Sequence, residues 1–101
     1  MRFLMKVTLP DEPFNNFVKN GSAGEKMQQI LTELKPEAAY FIEMNGLRTG
    51  ILVVNLDNTS DMPAKAEPWF LLFDAQVEFH PAMLPEDLAK SDLAAIGKKW
   101  S

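Results

Sequence analysis

Residues 38–56, AAYFIEMNGLRTGILVVNL, contain two runs of β-prone residues on either side of Asn45-Gly46. Asn-Gly is the dipeptide that a two-residue type I′ turn prefers, because both turn positions need a positive φ. The stretch therefore predicts a β-hairpin, whose strands are the second and third of the chain. Its second half, GILVVNL at 50–56, is apolar at successive positions, which indicates a strand buried on both faces.

Upstream of the hairpin, the pattern predicts a strand and then helix. Apolar residues alternate with other side chains along the first strand, at Phe3, Met5, Val7 and Leu9. Apolar residues then recur at spacings of three and four, which predicts an amphipathic helix, at Met27, Ile30, Leu31 and Leu34. We expect this helix to begin with a capping box between Ser22 and Glu25. An earlier helical segment that carries Phe14, Phe17 and Val18 should precede a bend at Gly21.

Downstream of the hairpin, the order of elements repeats. Residues 57–61 predict a loop, and a helix should run from an early Pro63 to about Phe73, with a bend near Ala64 or a restart at Pro68. Alternation at 76–80 predicts the fourth strand, which Pro81 should end. The remainder predicts one or two short helices anchored by apolar side chains, namely Leu88, Leu93, Ile96 and Trp100.

The resulting order, β-α-β-β-α-β plus a helical tail, predicts a single α+β domain of the ferredoxin-like type over residues 1–101. Its core should occupy 1–83 and its tail 84–101, with strand order 4-1-3-2 in one antiparallel sheet. Helices cover only one face of such a sheet, and a second copy of the chain is the simplest cover for the other. We expect the uncovered face to carry Met44, Leu52, Val54 and Leu56, and the tail to pack on its own domain or on the partner.

Five stretches, two of them overlapping, carry a resemblance to a known superfamily. MRFLMKVTLP at the start and VEFHPAM at 77–83 resemble the first and last strands of muconolactone isomerases, which, like antibiotic-biosynthesis monooxygenases, are dimeric α+β barrels. The combination LVVNL, AEPWFLLFDAQVEFHP and PEDL is more similar to small bacterial proteins of this superfamily that have no established function. Leu4 stands where the isomerases place a histidine. The resemblance therefore implies a homodimeric ferredoxin-like fold over about residues 1–83, and no catalytic residue.

Composition excludes several classes of function. A net charge of -4 with scattered basic residues opposes nucleic-acid binding, which needs clustered Lys and Arg. No apolar run is long enough for a membrane span, and Arg2 and Lys6 interrupt any signal-peptide core. With no cysteine and one histidine, we expect no metal site, and no glycine-rich motif indicates a nucleotide cofactor. A soluble, cytoplasmic protein without cofactor is the expectation.

A few polar or aromatic side chains are candidates for a site. His80 has Glu78 two residues away on the same strand face, which suits a general base, although a strand-end side chain is the more frequent role. Glu43 faces the hairpin position of Arg48 and is either a tuned carboxylate or half of a cross-strand ion pair. Other candidates for a ligand-binding or polar site are Tyr40, Glu67 and Trp69, of which Trp69 more often belongs to a core.

Two functions remain open at this point. The shortage of reactive groups favours a homodimeric module that binds a small apolar or aromatic molecule, or that regulates through it. The alternative is a cofactor-independent isomerase or monooxygenase, in which His80 or Glu43 moves a proton on an aromatic or enolisable substrate, and it rests on fold analogy alone.

Overall fold

The computed structural model describes residues 1–101 and contains four β-strands and five α-helices. In chain order they are β1 (Arg2–Leu9), α1 (Asp11–Lys19), α2 (Ala23–Leu34), β2 (Ala38–Met44), β3 (Leu47–Asn55), α3 (Met62–Phe73), β4 (Gln76–Pro81), α4 (Pro85–Lys90) and α5 (Leu93–Lys99). A 3-10 turn at Thr59–Asp61 leads into α3. None of these helices has the length and apolar character that crossing a bilayer requires.

The strands form one open antiparallel sheet around the predicted hairpin. Asn45 and Gly46 have φ of 55° and 77°, so both turn positions take the left-handed conformation that a type I′ turn needs. The sheet order is β2-β3-β1-β4, which read from β4 is 4-1-3-2. An α+β architecture is thereby confirmed, and it is compatible with the ferredoxin-like arrangement.

The core lies between one face of the sheet and the first three helices. Its fully buried side chains come from both central strands and from α2 and α3, and they are Met5, Val7, Leu52, Val54, Ile30, Leu34, Trp69 and Phe73. Phe73 is the centre of an aromatic cluster, with ring centroids 5.3 Å from Phe14, 6.0 Å from Phe17 and 6.1 Å from Trp69. These rings hold α1 and α3 together above the sheet.

The assignment of β3 to the two faces of the sheet was wrong in the sequence analysis. Leu52, Val54 and Leu56 are buried on the helix-covered face, where they share a register with Met5 and Phe3 of β1. A strand that is apolar on both faces carries no signal of its own for which face the helices cover. The uncovered face instead presents Ile51 and Val53 from β3, together with Leu4, Tyr40, Ile42 and Met44 from its neighbours.

Two further local expectations fail and one is confirmed. Ser22 precedes α2 but makes no capping box, because its hydroxyl donates instead to the Asn20 side chain, at 2.6 Å. Helix α3 continues through Pro68 without a restart, and the alternative of a bend near Ala64 stays a prediction. Strand β4 ends at Pro81, as expected, and one further hydrogen bond follows it, from the Ala82 amide to the Arg2 carbonyl at 3.0 Å.

The tail does not pack on its own domain. Every residue from 83 to 101 is exposed, although the two short helices form as predicted. The radius of gyration is 17.1 Å, whereas a compact domain of this length has one of about 13 Å. The expectation of a tail folded back on its own chain is therefore wrong, and packing on a partner stays a prediction.

Replacing Phe73 by Ala should lower the free energy of unfolding by about 3–5 kcal/mol, because it empties the centre of the aromatic cluster. Leu71→Ala in the same helix is the matched control, since Leu71 is 79% exposed and its removal should change little. Urea unfolding of both variants measures the difference. Equal losses would contradict the central role of Phe73.

Candidate functional site

A pocket of about 480 Å³ lies at the end of the sheet where the hairpin turns. It opens between the β2–β3 hairpin, the end of β1 and the first two helices, and its lining residues are Leu9, Phe14, Met27, Phe41, Ile42, Glu43, Arg48 and Thr49. The sheet register produces it, because Arg48 pairs with Glu43 on one side and with Leu9 on the other. Five of the eight lining residues are hydrophobic, so the pocket combines an apolar wall with one carboxylate and one guanidinium.

Arg48 is held in place by two neighbours from α1. Its Nη1 donates to the Asn15 side-chain oxygen at 2.8 Å, and its Cζ lies 4.8 Å from the centroid of the Phe14 ring. The contact with the ring and the hydrogen bond together restrict the position of the guanidinium. Only one of the five guanidinium N–H donors is needed for that bond, which leaves the others for a ligand.

The cross-strand ion pair between Glu43 and Arg48 does not form. The two residues are register partners, as predicted, but no carboxylate oxygen lies within 4.0 Å of the Arg48 nitrogens. Asn15 and Phe14 draw the guanidinium towards α1 instead. Arg48 is therefore a half-buried cation without a carboxylate partner at an apolar pocket.

Gly50 supports the aromatic wall of the pocket. It is the register partner of Phe41, and a Cβ built on Gly50 would lie 3.3 Å from the Phe41 ring and 3.2 Å from the Leu52 side chain. The absence of a side chain at Gly50 lets the Phe41 ring lie across β3. This close approach explains why a glycine stands inside a strand that is otherwise apolar.

The pocket contains only two of the residues that the sequence singled out, Glu43 and Arg48. Tyr40 points to the uncovered face of the sheet and is 65% exposed, while Glu67 is exposed on α3. Trp69 is fully buried in the core and lines no part of the pocket. His80 also belongs to the uncovered face, away from the pocket.

Two small charge clusters occupy the uncovered face. His80 Nε2 lies 3.7 Å from Glu78, whose other oxygen lies 3.6 Å from Lys6 Nζ. At the opposite end of β1 from the pocket, Arg2 Nε donates to both oxygens of Glu37, at 3.2 and 3.1 Å. No group of three His, Cys, Asp or Glu side chains is placed to hold a metal ion.

The residues that complete the pocket could not be recognised from the sequence. Phe14 and Met27 were interpreted only as packing positions of helices, and Asn15 and Leu9 carried no signal for a site. Their role depends on where α1 and α2 meet the end of the sheet, which no short-range pattern encodes. A usable signal was the lone Gly50 in an apolar strand opposite an aromatic residue.

Gly50→Ala should destabilise the protein by about 1 kcal/mol and displace the Phe41 ring, because the new Cβ crowds the ring and Leu52. Gly24→Ala is the matched control, and it should change the stability in the opposite direction. It lies in α2 with open space around it, so alanine should stabilise by up to about 1 kcal/mol through its higher helix propensity. Thermal unfolding measures both, and a harmless Gly50→Ala would contradict the close packing of Phe41.

The hydrogen bond from Arg2 lowers the pKa of the Glu37 carboxyl below its ordinary value of 4.5, and the Arg2 charge and the Asn55 amide add to this effect. The bonds to Glu37 therefore stabilise the fold at pH values above the ordinary pKa of 4.5. This stabilisation is lost as the pH falls through the lowered pKa of Glu37. Arg2→Gln should raise the pKa of Glu37 towards 4.5, as an NMR titration of its side chain would measure. An unchanged titration would show that the contact with Arg2 is not maintained in solution.

Comparison with known proteins identifies no family for this chain. No protein-family model matches it. A search of curated proteins gives no significant match either. Function must therefore be inferred from the geometry of the chain itself.

Proposed function

We propose that this chain is a homodimeric binding or regulatory module of the dimeric α+β barrel type that takes a small apolar or aromatic molecule in the pocket at the hairpin end. One observation carries the proposal, namely the half-buried Arg48 that faces an apolar pocket without a carboxylate partner. The uncovered face of the sheet, with Ile51 and Val53 at its centre, supports the homodimer.

The size and lining of the pocket support a small ligand. Its volume of about 480 Å³ lies within the range of about 300–1,000 Å³ that is usual for ligand sites. Such sites are mostly apolar and contain a few polar groups that orient the ligand, as Phe14, Phe41 and Met27 surround Arg48 here. Two aromatic rings in the lining favour a flat ligand, which gains from offset stacking.

The charge of Arg48 specifies the ligand further. A guanidinium presents donors in a planar fork that matches a carboxylate in two hydrogen bonds. Phe14 and Asn15 already hold the side chain in place, so binding requires little ordering of it. The ligand that fits best is a small aromatic or apolar acid whose body contacts the rings and whose carboxylate contacts Arg48.

Glu43 supports the alternative that the protein is an enzyme. It lines the same pocket as Arg48, so a carboxylate is available to accept a proton from a bound enolisable substrate. His80 does not serve this alternative, because it belongs to the uncovered face of the sheet. Glu43→Gln separates the two functions: it abolishes turnover by the enzyme and leaves binding by the module in place.

Arg48→Gln should weaken the binding of phenylacetate or benzoate at least tenfold, as isothermal titration calorimetry would measure. Arg2→Gln is the matched control, since it removes the same charge at the opposite end of the sheet and should leave binding unchanged. A neutral analogue such as benzyl alcohol should bind both variants alike, because it makes no ion pair with Arg48.

Two outcomes would contradict the proposal. Equal affinity of the acid for the wild type and for Arg48→Gln would show that Arg48 does not hold the carboxylate. Failure of all three probe molecules to bind the wild type at millimolar concentration would show that the pocket is not a site for small aromatic molecules.

A further inference from the structure

The C-terminal arm, residues 84–101, is the part of the chain that lacks any packing partner. Its two short helices and the residues that cap them carry large apolar side chains that are all exposed, at Leu84, Leu88, Leu93, Ile96 and Trp100. Trp100 is 79% exposed, which is uncommon for the largest apolar side chain. Together these side chains form a larger apolar surface than a monomeric protein usually leaves in water.

The path of the chain directs the arm away from its own domain. The ladder between β4 and β1 continues to Ala82, whose amide donates to the Arg2 carbonyl, so the chain leaves the end of the sheet in the direction of β4. Pro85 then starts α4, and the Leu84 amide donates to the Asp87 carboxylate at 2.9 Å. From Met83 onwards the chain does not return to the domain, since every one of these residues is exposed.

The accessible surface of the chain measures what the arm leaves unburied. A compact monomer of 11.4 kDa exposes about 5,800 Å², whereas this chain exposes 6972 Å². The excess of about 1,200 Å² exceeds the roughly 800 Å² that each partner buries in an interface of standard size. A second copy of the chain could bury this excess in one stable association.

The uncovered face of the sheet offers the complementary surface. Its half on β2 and β3 presents apolar side chains without any charge, from Tyr40, Ile42, Ile51 and Val53. The charged pairs of this face lie elsewhere, on β1 and β4 and around Glu37. An apolar arm that covers the β2–β3 half therefore desolvates no charged group, which would otherwise oppose binding.

We propose that the C-terminal arm of each chain packs on the β2–β3 half of the uncovered sheet face of a second copy. This proposal rests on the homodimer proposed above, and it names the segment that covers the sheet. The lengths agree, because α4 and α5 span about 20 Å together and the seven residues of β2 span about 23 Å. In the dimer, the arm of each copy covers the β2–β3 half of the sheet face of the other copy, so both apolar surfaces are buried.

Ile96→Glu tests the energetic role of the arm. Since every residue of α5 is exposed, this substitution cannot unfold the domain that carries it. Sedimentation of the wild type should give twice the chain mass, and Ile96→Glu should raise the dimer dissociation constant at least tenfold. Lys98→Glu, which makes a larger charge change in the same helix, is the control. It should raise the dimer dissociation constant less than Ile96→Glu does, because Lys98 is not one of the apolar side chains.

Cross-linking tests where the arm lies. The chain has no cysteine, so introduced thiols are unique. A chain with Tyr40→Cys is mixed with a chain with Ala95→Cys and treated with a short bismaleimide, and mass spectrometry should find the peptides of residues 40 and 95 linked. Leu71→Cys replaces Tyr40→Cys in the control, because Leu71 lies on the helix layer and is 79% exposed, which is at least as accessible as Tyr40 at 65%. The control mixture should give at most a tenth of that product.

Each contrary result has a distinct meaning. A wild-type monomer at 100 μM overturns both the arm exchange and the homodimer, although ligand binding at Arg48 can still be measured. A dimer that Ile96→Glu leaves intact, or linkage to residue 71 as strong as to residue 40, overturns the arm exchange alone. Loss of ligand binding in Arg48→Gln with the arm linkage preserved supports both proposals independently.

Discussion

The register of the β2–β3 hairpin is the constraint on which the rest of the structure depends. The two-residue turn at Asn45-Gly46 pairs Met44 with Leu47, and every later pair follows from that one. A slip by one residue would exchange the two faces of β3 and expose Leu52 and Val54, which now lie in the core. The same register places Gly50 opposite Phe41 and Arg48 opposite Glu43, so the turn also determines the pocket.

This dependence explains which parts of the fold could be predicted from the sequence. The elements and their order followed from local signals, namely the Asn-Gly turn, the alternation in β1 and the helical spacing in α2. The face of β3 did not follow, because Leu52 and Val54 differ little in hydropathy from Ile51 and Val53. Only the packing of Trp69 and Phe73 on the sheet distinguishes the two faces, and that contact is long-range.

The candidate site was predictable to a smaller extent for a similar reason. Hairpin pairing brought Glu43 and Arg48 together in the sequence analysis, and the structure keeps them adjacent. The ion pair expected between them was wrong, because α1 supplies Asn15 and Phe14 as competing partners for the guanidinium. An ion pair with an exposed carboxylate contributes little to stability. The hydrogen bond from Arg48 to Asn15, 33 residues away in sequence, acts together with the contact to the Phe14 ring and holds the guanidinium instead.

The pocket and the C-terminal arm lie at opposite ends of the sheet, and this separation bears on how a regulatory module could work. The arm leaves beside Arg2 and Asn55, while the pocket lies near Leu9 and Arg48 at the other end of the same strands. If the arm of a second copy covers β2 and β3, then it lies directly behind the strands that form the pocket wall. Phe41 faces the pocket and its neighbour Tyr40 faces the arm, so a ligand that shifts the Phe41 ring acts on the same strand that the arm contacts. Ligand binding and dimerisation would then be coupled through β2 alone. Thermodynamic linkage requires that each of the two change the free energy of the other by the same amount.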